Sequence, residues 1–495
     1  MKVATLNMVR LDRRQRTSLQ SQLYRQVREL IITGRLKADV RVPSTRDLVG
    51  QLGVSRNTII YALDQLVAEG YLNTRIGSGI YVADLPTREV RIAAVVGSMT
   101  ERKSPQISAR ATRFPISKVT PELATGKVQP FRPCQPAIDH FPMRNWNRAR
   151  SYALRSQTRE LLSENDAAGV PRLRTALSAY LKESRGVVCT ADQIIVTAGT
   201  QQGLSLLAEC LIDRGDPVWI EDPGYLGARA ALAGVGARLV PIPVDADGLT
   251  IPPVGPTKLP RAIYTTPSRQ FPLGVTMSLA RRLELLEFAR ECGAWVIEDD
   301  YDSEFRYTGR PLPCLQGLAS DDNVIYTGSF SKVLFPSLRL GYVVVPDKLG
   351  QVMRKAKEMR DGSAAALDQA TAAVFLEQGF FSTHVRRMRK LYRERLDIFL
   401  EEARKNISGR ITFPQIEAGM DAVGWLPPHT DDERLSQQLA VAGVDVPPLS
   451  AYSLGSTLPG LVFGFTGFSR PQIRSSMQTL GKLINRGRRQ IFAAK

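Results

Sequence analysis

Apolar residues along this chain change their spacing at two points, and those changes divide it into three parts. Near the front they recur every three or four positions: Leu19, Leu23, Val27, Leu30 and Ile31 form one stripe, Leu48 and Leu52 a second, and Ile59, Ala62, Leu63, Leu66 and Val67 a third. Stripes of that period are the buried faces of amphipathic helices. Each is bracketed by end signals. Thr17 and Ser18 suit the start of the first helix and Gly34 its end; Ser44, with Asp47 three residues later, opens a short second helix that stops at Gly53; Ser55 opens the third, which stops at Gly70. Gly53-Val54 leaves room only for a tight turn, so the second and third helices predict a helix-turn-helix. The period then falls to two. Tyr71-Leu72, the run Thr74 to Gly79, and Ile80-Tyr81-Val82 read as strand, glycine-rich turn and strand, a wing on the helical unit.

From Leu85 to Pro130 neither period persists, and Pro86, Pro105, Pro115, Pro121 and Pro130 punctuate the stretch, which is expected to be an extended connector. From Phe131 onward, β-branched runs alternate with helical patterns: Gln193 to Val196, Val218 to Ile220, Ala262 to Tyr264, Trp295 to Ile297 and Val324 to Tyr326. That alternation predicts an α/β domain around a mostly parallel sheet, whose ligands sit beyond the carboxyl ends of the strands. The expected organisation is a small winged helix-turn-helix over residues 1–84, a connector over 85–130 and a large α/β domain over 131–495.

Charge adds a partner to this picture. The 495 residues carry a formal charge of +18, and it is unevenly spread: residues 1–84 hold thirteen Lys and Arg against seven Asp and Glu, and residues 85–130 hold eight against three. A basic helix-turn-helix implies double-stranded DNA. The second helix of the motif enters the major groove by its first turn, so Arg56, Asn57 and Thr58 are the candidates for base readout. Arg46 and Arg75 reach phosphates or the minor groove, and Ser44, Ser55 and Gly77 complete the DNA-facing set. The basic connector either adds phosphate contacts or is a plain tether. Five cysteines without a C-x-x-C pair and three scattered histidines indicate neither a disulfide framework nor a metal site. No apolar run approaches the length of a membrane helix, and the N-terminus lacks an apolar signal core, so a cytoplasmic protein without membrane contact is expected.

The chemistry of the large domain centres on VIYTGSFSKVLFPSLRLGY, Val324 to Tyr342. A strand ends in glycine, two serines follow, then Lys332 and, seven residues on, Arg339. Serine hydroxyls and a guanidinium suit a phosphate, and a partly desolvated lysine suits a Schiff base; pyridoxal 5'-phosphate needs both. The other strand ends agree. The loop Gly199-Thr200-Gln201 enters a helix start that suits a phosphate, Tyr225 follows Glu221-Asp222-Pro223-Gly224 and can cover a flat ring, and Glu298-Asp299-Asp300-Tyr301 brings a carboxylate for a ring nitrogen and a phenol for a ring hydroxyl.

These residues resemble two known families. Pro43, Ser44, Arg46, Leu52 to Arg56, Thr58, Leu66, Glu69 to Leu72, Gly77, Gly79 and Val82 match the GntR-type winged helix-turn-helix, with Asp39 and Val42 departing from its usual glycine and leucine. The segments TAGTQQGLSLLA, EDPGY, TPSRQFPLGVTM, EDDYDSEFRY and GSFSKVLFPSLRLGY resemble fold-type I aminotransferases, and the combination is similar to the MocR subfamily of GntR-type regulators. The resemblance implies Lys332 as Schiff-base lysine, Asp299 as partner of the pyridine nitrogen, Tyr301 of the ring hydroxyl and Tyr225 as stacking ring. It further implies Ser329, Ser331, Arg339 and the loop Gly199 to Gln201 as the phosphate site, Gln270 near the ring, and a homodimer.

Departures bear on function. Arg269 stands where a histidine is usual, and Gly460 to Phe465 offers no arginine for a substrate α-carboxylate. Two functions remain open at this point. The favoured one is a transcriptional regulator that senses pyridoxal phosphate, or an amine or amino acid reacting with it; the other is a working aminotransferase with an accessory DNA-binding domain.

Overall fold

The computed structural model describes residues 6, 8–84, 107–108, 128–156, 158–163, 165–253, 255, 259–309, 312–455 and 458–486, and they form two compact units, Met1–Ile107 and Ser108–Lys495. The boundary between the units falls inside the expected connector, most of which lies outside the described residues.

The first unit forms where the end signals place it. Helix α1 (Leu19–Ile32) starts at Ser18, whose hydroxyl accepts from the Ser21 amide; α2 (Thr45–Leu52) starts at Ser44, which accepts from Asp47; α3 (Arg56–Ala68) starts at Ser55, which accepts from Thr58. Gly53 ends α2 with φ 63°, a left-handed conformation open to glycine at no steric cost, and that allows the chain to turn at once into α3. Strands β1 (Leu72–Arg75) and β2 (Gly79–Val82) pair antiparallel as the wing, in the register Leu72 to Val82. Leu23, Val27, Leu48, Ile59, Leu63, Leu66 and Val82 close one core, joined by Leu6 and Val9 from ahead of α1.

The second unit is built on an eight-stranded sheet in the order β3-β10-β9-β8-β7-β4-β5-β6. Its strands are β3 (Ile194–Thr197), β4 (Pro217–Asp222), β5 (Arg238–Asp245), β6 (Gly248–Leu249), β7 (Ala262–Thr265), β8 (Trp295–Asp300), β9 (Val324–Ser329) and β10 (Gly341–Val344). All run in one direction except β10, antiparallel to both β3 and β9, and the edge strand β6. Apolar side chains cover both faces. Ile194, Val196, Tyr326 and Val344 enter one core with Trp146, Leu173, Leu177 and Phe375, whereas Ile195, Ile325 and Val343 enter another with Leu204, Leu207, Ala231 and Ile297. That alternation is the two-residue strand period with both faces buried, the expected state of a parallel sheet wrapped by helices. A smaller sheet, β11 (Asp421–Trp425) with β12 (Gly460–Gly464), packs with the long helix Phe380–Ile407 around Phe399, Leu435, Phe463 and Leu480.

The strands β4, β7, β8 and β9 are parallel, so their last residues, Asp222, Thr265, Asp300 and Ser329, lie along one edge of the sheet. There the backbone leaves the ladder and side chains become available to a ligand.

Candidate cofactor site and DNA-facing surface

At that edge Lys332, three residues past the end of β9, faces a cavity whose lining includes Thr200, Tyr225, Tyr264, Asp299, Tyr301 and Ser329. Its Nζ donates to the Cys134 carbonyl oxygen at 3.3 Å. Strand alternation selects the carboxylate. Of the run Glu298-Asp299-Asp300, only Asp299 lines the cavity. Glu298 accepts the Leu315 and Gln316 amides, each at 3.0 Å, and Asp300 accepts the Tyr326 and Ser303 hydroxyls, each at 2.6 Å, and pairs with Arg185.

Asp299 is 3% exposed, and the Tyr264 hydroxyl donates to its Oδ2 at 2.7 Å and the Thr327 hydroxyl to its Oδ1 at 2.9 Å. Burial pushes its carboxyl up to about 6, against the pull of those two hydroxyls. It is therefore mostly ionised at neutral pH, and no ion pair engages it among the described residues. A buried carboxylate held by hydroxyls alone is an unbalanced charge, and its complement is a cation placed in the cavity. A protonated pyridine nitrogen has that charge and a single N–H to donate, so the residues present fit pyridoxal phosphate.

Aromatic rings frame the same space. Phe271 stands edge-on to both Tyr225 (centroids 6.1 Å apart, 89°) and Tyr301 (5.9 Å, 88°). A Cβ on Gly227 would sit 2.4 Å from the Tyr225 ring, so a glycine there is required by the ring's position. At the helix Thr200–Leu211, Gly199 takes φ 90° and supplies no side-chain cap, leaving the first turn open toward the sheet edge. The Arg339 guanidinium lies 3.7 Å from where a Gly199 Cβ would be, and a Cβ on Gly341 would stand 2.9 Å from Gly199 itself. Gly341 thus lets β10 press against the Gly199 loop, and Arg339 lies in ordinary contact distance of Gly199. Ser331 donates its amide to Ser329 Oγ at 3.1 Å, which holds the serine turn closed.

Lys332, Asp299, Tyr301, Tyr225, Thr200 and Ser329 accordingly share one cavity, and Gly199 and Arg339 adjoin each other beside Thr200. Gln201 turns its amide to the Gly227 carbonyl at 3.0 Å. Gln270 is not in the lining: its amide donates to the Pro223 and Phe271 carbonyls at 2.8 and 2.7 Å, its carbonyl accepts the Leu273 amide, and it braces the loop that carries Phe271. Sequence reasoning missed Tyr264, Thr327, Cys134 and Phe271 as neighbours of the site, because in the pattern Tyr264 and Thr327 are ordinary strand residues.

Arg269 occupies the position read as a departure. It is buried, and donates from Nη1 to the Tyr301 hydroxyl at 3.0 Å, from Nε to the Ala418 carbonyl at 3.0 Å and from Nη2 to the Asp421 carbonyl, with Asp302 paired at 3.4 Å. A Cβ on Gly419 would stand 2.0 Å from Nε, so this guanidinium needs the glycine. Because Tyr301 accepts from Arg269, its own proton is free to point into the cavity.

On the first unit, Arg46, Arg56 and Asn57 are exposed. Ser44 and Ser55 are engaged as caps, each on its own helix, and Thr58 shares the Ser55 cap. Arg75 is exposed on the wing, where it pairs with Asp39 and lies 4.3 Å over the Tyr81 ring. Asp39 itself has φ 61°, a backbone position that favours the glycine usual there, and its carboxylate captures Arg75. Gly77, with φ 74°, makes the turn of the wing.

Residues 135–470 match the family described as aminotransferase class I and II, and residues 19–82 that described as bacterial regulatory proteins, gntR family. The chain is 40% identical over 477 residues to the probable rhizopine catabolism regulatory protein MocR of Rhizobium meliloti, covering 96% of this chain and 95% of that protein. It is 31% identical to the pyridoxine biosynthesis transcriptional regulator PdxR of Corynebacterium glutamicum, covering 97% and 99%. Among solved structures it is similar to LysN, an α-aminoadipate aminotransferase of Thermus thermophilus crystallised with N-(5'-phosphopyridoxyl)-L-leucine, at 27% identity and TM-score 0.70 over 77% of this chain and 97% of that one. A gntR-type winged helix-turn-helix ahead of an aminotransferase domain, matched nearly end to end by such regulators, places this chain in the MocR subfamily of GntR-type transcriptional regulators.

Proposed function

We propose that the large domain of this regulator is a sensor that holds pyridoxal phosphate at Lys332 and responds to the cofactor, or to an amine that competes with Lys332 for it, and that it does not run a transamination cycle. The Asp299 carboxylate, held by hydroxyls and lining the same cavity as the Lys332 amine without an ion pair to it, carries this reading. When bound, the cofactor supplies an aldehyde for condensation with amines and an electron-withdrawing ring. The chain's residues then have separate tasks. Asp299 holds a proton on the ring nitrogen, Tyr301 donates to the ring oxygen under the pull of Arg269, Tyr225 covers a ring face, and the Gly199-Thr200-Gln201 turn with Ser329, Ser331 and Arg339 takes the phosphate.

The cavity lining supports an amine over an amino acid. Its one cation among the described residues is Lys332. The stretch Gly460–Gly464 is a fully buried apolar strand, and Arg470 is exposed at the start of the last helix. An α-carboxylate brought into this space meets Asp299 and no guanidinium, whereas a bidentate arginine contributes a few kcal/mol to carboxylate binding in sites that have one. Two copies about a two-fold axis, each carrying one winged helix, would read paired half-sites, and a ligand that favours one arrangement of that dimer over another alters DNA affinity.

Two outcomes are expected. Purified full-length chain retains the absorbance of bound pyridoxal phosphate yet shows no sustained conversion of L-amino acids with 2-oxoglutarate; turnover through many cycles makes it an aminotransferase instead. The second concerns pH. Burial is the first cause that lifts Asp299 to about 6 and Glu298 and Asp302 to about 7, whereas in the unfolded chain such groups titrate near 4. Between those values the folded chain binds more protons than the unfolded one, so this stabilisation is complete below about pH 4 and is lost as pH rises through 6 and 7. The melting temperature of cofactor-free protein therefore falls from pH 5 to pH 8, and Asp299→Asn makes the fall shallower; an unchanged slope in that variant contradicts the assigned state of Asp299.

A further inference from the structure

The segment ahead of α1 is fastened in a way that its apolar anchors do not require. Leu6 and Val9 already insert into the core of the first unit, at 2% and 6% exposure. Beyond them, two glutamines one turn apart on α1 grip the backbone reciprocally. Gln26 accepts the Arg10 amide at 2.9 Å and donates to the Arg10 carbonyl at 2.7 Å; Gln22 accepts the Asp12 amide at 2.9 Å and donates to the Asp12 and Thr17 carbonyls at 2.9 and 2.8 Å. Gln22 is 7% exposed, so its amide is a buried polar group whose every bond serves this segment. The grip fixes residues 10 to 12 in register, as a neighbouring strand would.

What this register positions is charge. Asp12 turns its carboxylate back onto the Arg14 amide at 2.8 Å, which bends the chain, and Arg13 Nη2 donates to the Gly53 carbonyl at 2.7 Å. Gly53 ends α2 and lies two residues before Ser55, the cap of α3. The loop is thus pinned at the turn that leads into the helix bearing Arg56 and Asn57. Arg10, Arg14 and Arg16 are exposed, and no ion pair takes them among the described residues.

We propose that Arg10 to Arg16 form an arm that grips the DNA phosphate backbone beside the major groove entered by α3. The proposal rests on α3 being the base-reading helix. Its occupant is the phosphate strand flanking that groove, since four guanidinia against a single, internally engaged carboxylate match a continuous polyanion. The arm adds affinity and salt dependence without adding sequence preference.

The test uses the full-length chain and a labelled random-sequence duplex of about 40 base pairs, with binding measured between 50 and 300 mM salt. Each phosphate left without its arginine removes about 0.9 from the slope of log affinity against log salt. Arg14→Ala with Arg16→Ala is expected to flatten the slope by about two and to weaken binding roughly tenfold or more near 100 mM salt. Arg35→Ala with Lys37→Ala, the same charge removed from an exposed loop of the same unit, is expected to change the slope by less than one. An arm variant with the wild-type slope, or a control pair that flattens it equally, overturns the arm; a wild-type chain that binds no duplex overturns the DNA reading itself. If the alanine pair melts below the wild type, Arg14→Gln with Arg16→Gln is measured against the same criterion.

Discussion

A carboxylate buried without a cation is the constraint on which the large domain depends. Asp299 sits near the end of a central strand, screened from water, with two hydroxyls as its donors. Leaving a charge in that state costs several kcal/mol unless something positive completes it. The surroundings keep the cost bounded rather than removing it: Tyr264 and Thr327 hold the carboxyl near 6 instead of letting it become a permanent acid. The neighbouring acids are treated differently. Glu298 and Asp300 point away from the cavity and find backbone amides, hydroxyls or Arg185, so only one member of the acidic run is left waiting for a ligand.

Sheet topology supplies the remaining geometry. Parallel strands put their carboxyl ends on one edge, and the antiparallel β10 between β3 and β9 brings Gly341 against Gly199 and Arg339 against the helix start. Glycines at 227, 341 and 419 each clear space where a Cβ would collide with the Tyr225 ring, the Gly199 backbone or Arg269, and Gly199 supplies the φ of 90° that the loop takes. Arg269 is the departure with the largest consequence. It donates to Tyr301, which lines the cavity, and pairs with Asp302 behind it, so its guanidinium is engaged and lies outside the cavity lining.

Much of this was legible in the sequence because local rules acted without competition. The serine caps at 18, 44 and 55 and the glycine at 53 delimit the front helices as written, and the five β-branched runs are five of the sheet strands. The other elements failed to stand out for physical reasons. Strand β10, Gly341–Val344, follows directly on the lysine loop and carries no turn signal of its own; β5 contains two prolines; β11 and β12 are short and pair across nearly forty residues. At the site, side chains at strand ends were found when their type was unusual, as with Lys332 and Asp299. They were missed when, like Tyr264 and Thr327, they also make good strand residues. Asp39 shows the limit of reading residues singly: its left-handed backbone departs from what its residue type favours, and its carboxylate takes up an exposed ion pair with Arg75 that spacing along the chain does not reveal.

The two units meet functionally only if the state of the cavity reaches the DNA. The direct measurement is the affinity of the full-length chain for DNA from its own upstream region, with and without saturating pyridoxal phosphate, in the wild type and in Lys332→Ala. The cofactor is expected to shift wild-type affinity, whereas Lys332→Ala still binds DNA but no longer shifts. A variant that responds to the cofactor as fully as the wild type would contradict sensing through Lys332.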